Sequence, residues 1–328
     1  MASAPVNIPP GTLPPGTNVQ IGDHLVTVSR FLSEGGFAHV YLVTSPSPID
    51  GALRHVLKRV AVPDRDSLKG VRKEVDFMKQ LRGHRHIVSI VEASASPLPD
   101  TPSAFEVFIL MEYCAGGGII DMMNTRLQNR LTESEILKIF SDVCEAVAHM
   151  HFQDPPLIHR DLKVENILLA SSSLYKLCDF GSTTVSASRA PQTMAEIQAV
   201  EADLNKSTTL QYRAPEMCDV WSRKPIGPPA DIWALGVLLY KLCYYTTPFE
   251  EHGPLAILNV QYKIPPYPAY SNHIKALIAS MLQEAAPARP TIYKVYERVS
   301  QLRGTTPKFS DVRPAIFHPL YVWGPTHT

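Results

Sequence analysis

The sequence predicts an α+β fold in two unlike parts, a small strand-rich part with one main helix and then a larger, mostly helical part. Three observations carry this reading. Short β-branched runs separated by turn residues fill residues 21–113. The glycine-rich stretch CAGGG at 114–118 interrupts that pattern. Beyond it, apolar residues recur at helical rather than strand spacing.

Taken in order, residues 1–20 are rich in Pro, Gly and Thr and are expected to be a flexible segment. HLVTVSRFL, HVYLVTS and RHVLKRVAV read as three strands, the first two flanking a glycine-containing turn. DSLKGVRKEVDFMKQLRG carries Leu68, Val71, Val75, Met78 and Leu81 at helical spacing and stops at Gly83. HIVSIVEAS and FEVFILMEY read as two more strands. After the glycines, Thr132 with Glu135 three residues later forms a capping-box pattern before the stripe Ile136, Ile139, Phe140, Val143, Val147 and Met150. Further helices are expected over 232–243, 273–283 and 292–302, and the Pro-containing residues 304–328 form a weakly ordered extension. A cleft between two unlike lobes is a natural ligand site.

The bulk numbers exclude several function classes. The 328 residues contain 31 basic and 31 acidic side chains, so net charge attracts neither nucleic acid nor an anionic membrane surface. The most apolar run, 232–240, falls well short of the roughly 18 residues that span a bilayer. The first residues lack the basic segment and apolar run of a signal peptide. Cys114, Cys144, Cys178, Cys218 and Cys243 form no CxxC pair, which fits reduced thiols better than zinc or disulfides. Together these features predict a cytoplasmic protein.

Chemistry concentrates in LIHRDLKVENILL, residues 157–169, where His159, Arg160, Asp161, Lys163 and Asn166 stand between apolar flanks. Such a loop is costly to enclose unless its polar groups find partners. Thirteen residues after Asn166 comes CDFGS, with Asp179-Phe180-Gly181. A carboxylate with an asparagine suits Mg2+, which takes few protein ligands and keeps waters and phosphate oxygens. Upstream, FLSEGGFAHVYLV keeps Gly35 and Val40 of the template G-x-G-x-x-G-x-V, adds Gly36, and puts Ser33 and Ala38 where the other two glycines belong. By itself that loop is compatible with a nucleotide lid, a decayed lid or an ordinary hairpin.

In register, H-R-D-x-K-x-x-N, D-F-G and the Ala214-Pro215-Glu216 of YRAPEM resemble the protein kinases over residues 25–302. The resemblance implies the bilobal protein-kinase fold over 21–303, with an N-lobe at 21–113 and a C-lobe at 114–303. It implies that ATP lies in the cleft under Ser33, Glu34, Gly35, Gly36, Phe37, Ala38 and Val40. Met111 would be the gatekeeper, and the backbones of Glu112 and Cys114 would face the purine. Lys58 would neutralise the α- and β-phosphates, fixed by Glu74 sixteen residues on. Asn166 and Asp179 would hold Mg2+, Asp161 would orient the acceptor hydroxyl, and Lys163 would approach the γ-phosphate. Arg289 would pair with Glu216, Asp231 would anchor the catalytic loop, and Met78 would join an apolar column with His159 and Phe180. Lys163, and Thr209 seven residues before Glu216, match the serine/threonine class.

EGGFAHVYLV, LMEYCAGGGIIDMM, PQTMAEIQAVEADLNKSTTLQYRAPEM and PPADIWALGVLLYKLCYYTTPFEE resemble the Numb-associated kinases, including the fungal Ark/Prk actin-regulating kinases. In that family the E-G-G-F-A loop is characteristic, so Ser33 and Ala38 count for membership. The resemblance implies phosphorylation of Ser or Thr on endocytic adaptors and actin-patch proteins, action at endocytic or cortical actin sites, and a catalytic domain excised from a longer chain. It also implies an extra helix after the activation segment, for which CDVWSRKPIGPPA leaves room. A phosphate on Ser207 or Thr208 would pair with Arg160 and order that segment. The rivals are a pseudokinase that binds nucleotide without turnover and a small-molecule kinase.

Overall fold

The structure is a computed structural model, described here for residues 9–35, 38–99, 101–250 and 253–310. Six strands form the first sheet: β1 (Asn18–Ile21), β2 (His24–Gly35), β3 (Ala38–Ile49), β4 (Ala52–Val62), β5 (Ile90–Leu98) and β6 (Thr101–Glu112). Their order is β1-β2-β3-β4-β6-β5, with every neighbouring pair antiparallel. Alternation along the strands gives the sheet two apolar faces. One face holds Val26, Val28, Tyr41, Val43, Leu57 and Leu110. The other joins helix α1 (Arg65–Gln80), whose N-cap Asp64 accepts a hydrogen bond from Ser67 N.

β1 falls partly within the Pro-rich residues expected to be flexible. The chain before it also docks: Gly16 N donates to Val28 O at 2.8 Å, and Leu13 N donates to the Tyr41 hydroxyl at 3.0 Å. The outer face of the sheet is apolar, and covering it with Leu13, Val19 and Ile21 offsets the ordering cost of the segment.

The second part contains α2 (Ile119–Thr125), α3 (Glu133–His151), α4 (Met194–Ser207), α5 (Pro215–Cys218), α6 (Pro228–Tyr244), α7 (Gly253–Leu258), α8 (Asn272–Met281) and α9 (Ile292–Leu302). The Thr132/Glu135 capping box is formed as the sequence predicts. α6 is buried nearly all round and forms the pillar of the lobe. Short pairs β7 (Leu157–Ile158) with β10 (Thr184–Val185), and β8 (Ile167–Ser171) with β9 (Leu174–Leu177), frame the loop that carries His159 to Asn166. This is the bilobal α+β arrangement, and no helix among the described residues is long and apolar enough to cross a membrane.

The connector explains its glycines. A Cβ on Gly116 would lie 2.6 Å from the Leu169 carbonyl oxygen, the same atom that accepts Gly116 N at 2.8 Å. The chain can therefore pass against β8 only with glycine at that position.

Two further expectations change. CDVWSRKPIGPPA forms one short 3-10 turn, Val220–Ser222, before α6 starts, because Pro225, Gly227 and the prolines at 228–229 interrupt helix propagation. The additional helix is instead α4, between Gly181 and Glu216, where Thr193 and Glu196 make a second capping box. At the other end, residues 304–310 lie on the C-lobe: Lys308 Nζ reaches Glu145 at 2.7 Å, and Phe309 stacks on Tyr296 with ring centroids 4.5 Å apart. The expected proline-rich stretch beyond 310 lies outside the described residues.

Candidate active site

The β3–β4 pairing sets Val40 opposite Lys58, and the β4–β6 pairing sets Lys58 opposite Ile109. Lys58 thus faces inward, toward α1, and its Nζ lies 2.6 Å from Glu74 Oε1. Burial alone would push the ammonium down, but the Glu74 and Asp179 carboxylates outweigh it and hold it above its ordinary value. Lys58 is therefore a cation at neutral pH, positioned by a partner on a different element.

The catalytic-type loop is anchored from beneath. Asp231, fully buried at the start of α6, accepts the backbone N–H groups of His159 at 2.8 Å and Arg160 at 2.9 Å. It also contacts His151 Nε2 at 3.0 Å. Burial would raise this carboxyl, but the His151 contact and the amides lower it, so the acid stays ionised. Arg160 takes a left-handed φ of 67°, and Asp179 one of 61°. Both are unusual for side-chain-bearing residues and are held by surrounding bonds.

Asp161 Oδ1 accepts Thr209 Oγ1 at 2.7 Å and Thr209 N at 3.1 Å, while Oδ2 lies 2.6 Å from Lys163 Nζ. Lys163 also donates to Thr209 Oγ1 at 2.9 Å. Asn166 Nδ2 donates to the Asp161 carbonyl at 2.9 Å, so its amide oxygen is directed elsewhere. Burial would raise the Asp179 carboxyl, but Lys58 and other charges lower it overall. An ionised carboxylate and a free amide oxygen are hard donors of the kind Mg2+ prefers, so the two residues fit that ion. Phe180 is buried edge-on to His159 with ring centroids 5.4 Å apart, and Met78 belongs to the same apolar cluster.

Lys58, Glu74, Asp161, Lys163, Asp179, Gly35 and Ala38 line one cleft of about 450 Å³. Gly35 pairs with Ala38 at the loop tip, and a Cβ on Gly35 would meet nothing within 4 Å. Ser33 and Glu34 are exposed on β2, whereas Gly36 and Phe37 lie outside the described residues. At the connector, the Glu112 carboxylate accepts Lys176 Nζ at 2.6 Å and Ser89 N at 2.7 Å, so its side chain braces the hinge. Met111 is half-buried, and Cys114 is buried with its thiol pushed up to about 12, mainly by burial. A second supporting pair, Arg289 with Glu216, is bidentate at 2.7 and 2.8 Å and wholly enclosed, with Trp233 against the guanidinium.

Three contacts escaped sequence reasoning. Arg160 is already engaged, by the Asp203 carboxylate at 2.5 Å and the Ser182 carbonyl at 2.6 Å. Thr208 Oγ1, one of the two hydroxyls named above for phosphorylation, donates to Leu204 O and accepts from Arg213 Nε. Finally, His86, Asp142 and Glu145 cluster as metal ligands do, but Lys138 and Lys308 occupy the two carboxylates and bind the cluster as ion pairs.

A cleft with these residues on a bilobal scaffold is that of a protein kinase domain, and the family model for that domain matches residues 26–299; the chain belongs to this family. The chain is 52% identical over 301 residues to the serine/threonine-protein kinase ppk30 of Schizosaccharomyces pombe, covering 92% of this chain and 31% of that protein. It is 47% identical over 305 residues to actin-regulating kinase 1 of Saccharomyces cerevisiae, with 92% and 48% covered, and 48% identical over 291 residues to actin-regulating kinase PRK1 of the same yeast, with 88% and 36% covered. The chain thus spans about a third to a half of the length of these relatives.

Proposed function

We propose that residues 21–303 form a Mg2+-dependent serine/threonine protein kinase that transfers the ATP γ-phosphoryl group to protein hydroxyls. The observation that carries this reading is the double hold on Asp161, by Thr209 on one oxygen and Lys163 on the other. A carboxylate fixed in that way can accept a hydrogen bond from an acceptor hydroxyl, align its oxygen, and take its proton late in transfer. Lys58, steadied by Glu74, binds the α- and β-phosphates, and Lys163 meets charge on the transferring group. Asn166 and Asp179 would hold Mg2+, which when bound would supply positive charge to offset that of the phosphates. The strands under Val40 and Ala38 cover the nucleotide, and the backbones of Glu112 and Cys114 face its base. Positioning and fixed charge supply most of the acceleration, since the protein forms no covalent intermediate.

The names of two relatives, both actin-regulating kinases, support a finer reading in which the substrates are actin-regulating proteins; the family resemblance of the sequence motifs extends it to endocytic adaptors and to work in the cytoplasm at cortical actin or endocytic sites. A transfer assay with γ-labelled ATP tests the reaction class. Label should pass to a threonine-containing protein and not to a small alcohol. Transfer to the small alcohol alone would identify a small-molecule kinase, and transfer to neither a pseudokinase.

A further inference from the structure

Helix α4 is tied to the catalytic machinery residue by residue near its C-terminal end. Asp203 holds Arg160. The Leu204 carbonyl and Asn205 side chain both accept bonds from Arg213, at 2.8 and 2.9 Å. The Ser207 carbonyl accepts the Ser182 hydroxyl, and Thr208 accepts Arg213. Lys206 is the exception. It is exposed, no carboxylate among the described residues is ion-paired with it, and yet it lines the same cleft as Asp161, Lys163 and Thr209.

The cleft's other two lysines are committed, Lys58 to Glu74 and Lys163 to Asp161. Lys206 lines the cleft together with Thr208 and Thr209, and Thr209 bonds directly to Asp161. A lysine in a last helical turn also suits the helix dipole. That role explains its position in the helix but does not require it to line the cleft.

We propose that Lys206 is a specificity-determining residue, recognising a carboxylate or phosphate on an acceptor peptide near the hydroxyl to be phosphorylated. This rests on the protein-kinase reading above. The fixed neighbours hold the helical turn that carries Lys206, so an anionic side chain gains an ion pair without ordering the helix.

The test uses threonine peptides that differ at one flanking residue, which is Glu, phosphoserine, Ala or Lys at each position in turn. In the wild type, Glu should raise kcat/KM over Ala by about threefold at one or two adjacent positions, as expected for an exposed ion pair. Phosphoserine should raise it further if phosphate is the preferred source of charge, and equally if charge alone matters. Lys206→Ala should remove the ratio, Lys206→Glu should invert it toward the Lys peptide, and Lys206→Arg should keep it. Lys224→Glu makes the same charge change at an exposed site outside the cleft and should leave the ratio intact. Absence of any wild-type preference, its survival in Lys206→Ala, or a change confined to the KM for ATP would overturn the proposal. Failure of every peptide and protein to accept phosphate would instead overturn the kinase reading, and this inference with it.

Discussion

The Arg160 guanidinium and the Asp203 carboxylate meet at 2.5 Å, joining the catalytic loop to a helix inside the activation segment. Arg160 is nearly buried at this contact, whereas Asp203 is half exposed. A carboxylate built into α4 therefore occupies the position where a phosphate was expected. Enzyme whose activation-segment peptides are unmodified by mass spectrometry should be active. Asp203→Ala should lower its turnover by about fivefold, the effect of losing a pair worth about 1 kcal/mol, with little change in melting temperature. Activity that appears only after Ser207 or Thr208 is phosphorylated would contradict this.

The glycine loop makes a graded prediction. Nothing among the described residues opposes a side chain at Gly35, so Gly35→Val should fold normally and yet bind ATP at least tenfold more weakly by calorimetry. Ser33→Gly should change affinity less than threefold. Equal affinities for the two variants would show that the loop tip does not cover the phosphates.

The buried pair Glu216–Arg289 is predicted to matter through its asymmetry. Arg289→Ala leaves an uncompensated buried carboxylate and should cost about 3–5 kcal/mol in urea unfolding. Replacing both, as Glu216→Leu with Arg289→Met, should cost less than that single change. A double variant as unstable as the sum of the singles would argue against a charge-based cause.

Acid should act on the contact between the C-terminal residues and α3. Burial alone would raise the Glu145 carboxyl, but His86 and Lys308 hold it at about 2 against an ordinary 4.5. Its folded value lies below its unfolded one, so its contribution is complete above about pH 4.5 and disappears as pH falls toward 2. Solvent reaches the site along Lys308, which limits the contribution to about 1.5 kcal/mol. The stability gap between wild type and Glu145→Gln should shrink between pH 6 and pH 3. A constant gap would sink this assignment.

Much of this was legible in the sequence, for identifiable reasons. The strands from His24 to Glu112 alternate or are β-branched, and α3 carries both a cap and a stripe, so local pattern and tertiary burial agree. β1 has only four residues in a Pro/Gly setting, too few to show a period. α4 has only Ile197 and Leu204 buried, so its stripe is weak, although Thr193 and Glu196 announced its start. At the site, Lys58, Glu74, Asp161, Lys163, Asn166 and Asp179 sit in motifs with fixed spacing, and their neighbours follow from strand register. Asp203 and Lys176 do not. Each meets a partner far along the chain, 43 residues away for Arg160 and 64 for Glu112, and no local pattern encodes such a pairing. Lys206 was equally silent, since only the folded activation segment turns it into the cleft.

The central claim is that the doubly held Asp161 carboxylate drives phosphoryl transfer. Turnover of γ-labelled ATP onto a threonine-containing protein by wild type and Asp161→Asn, with nucleotide affinity measured on the same samples, tests it most directly. The account predicts transfer by the wild type, a loss of at least a hundredfold in kcat for the variant, and ATP affinity within about twofold. Undiminished turnover in Asp161→Asn, or a wild type that binds ATP without transferring phosphate, would contradict it.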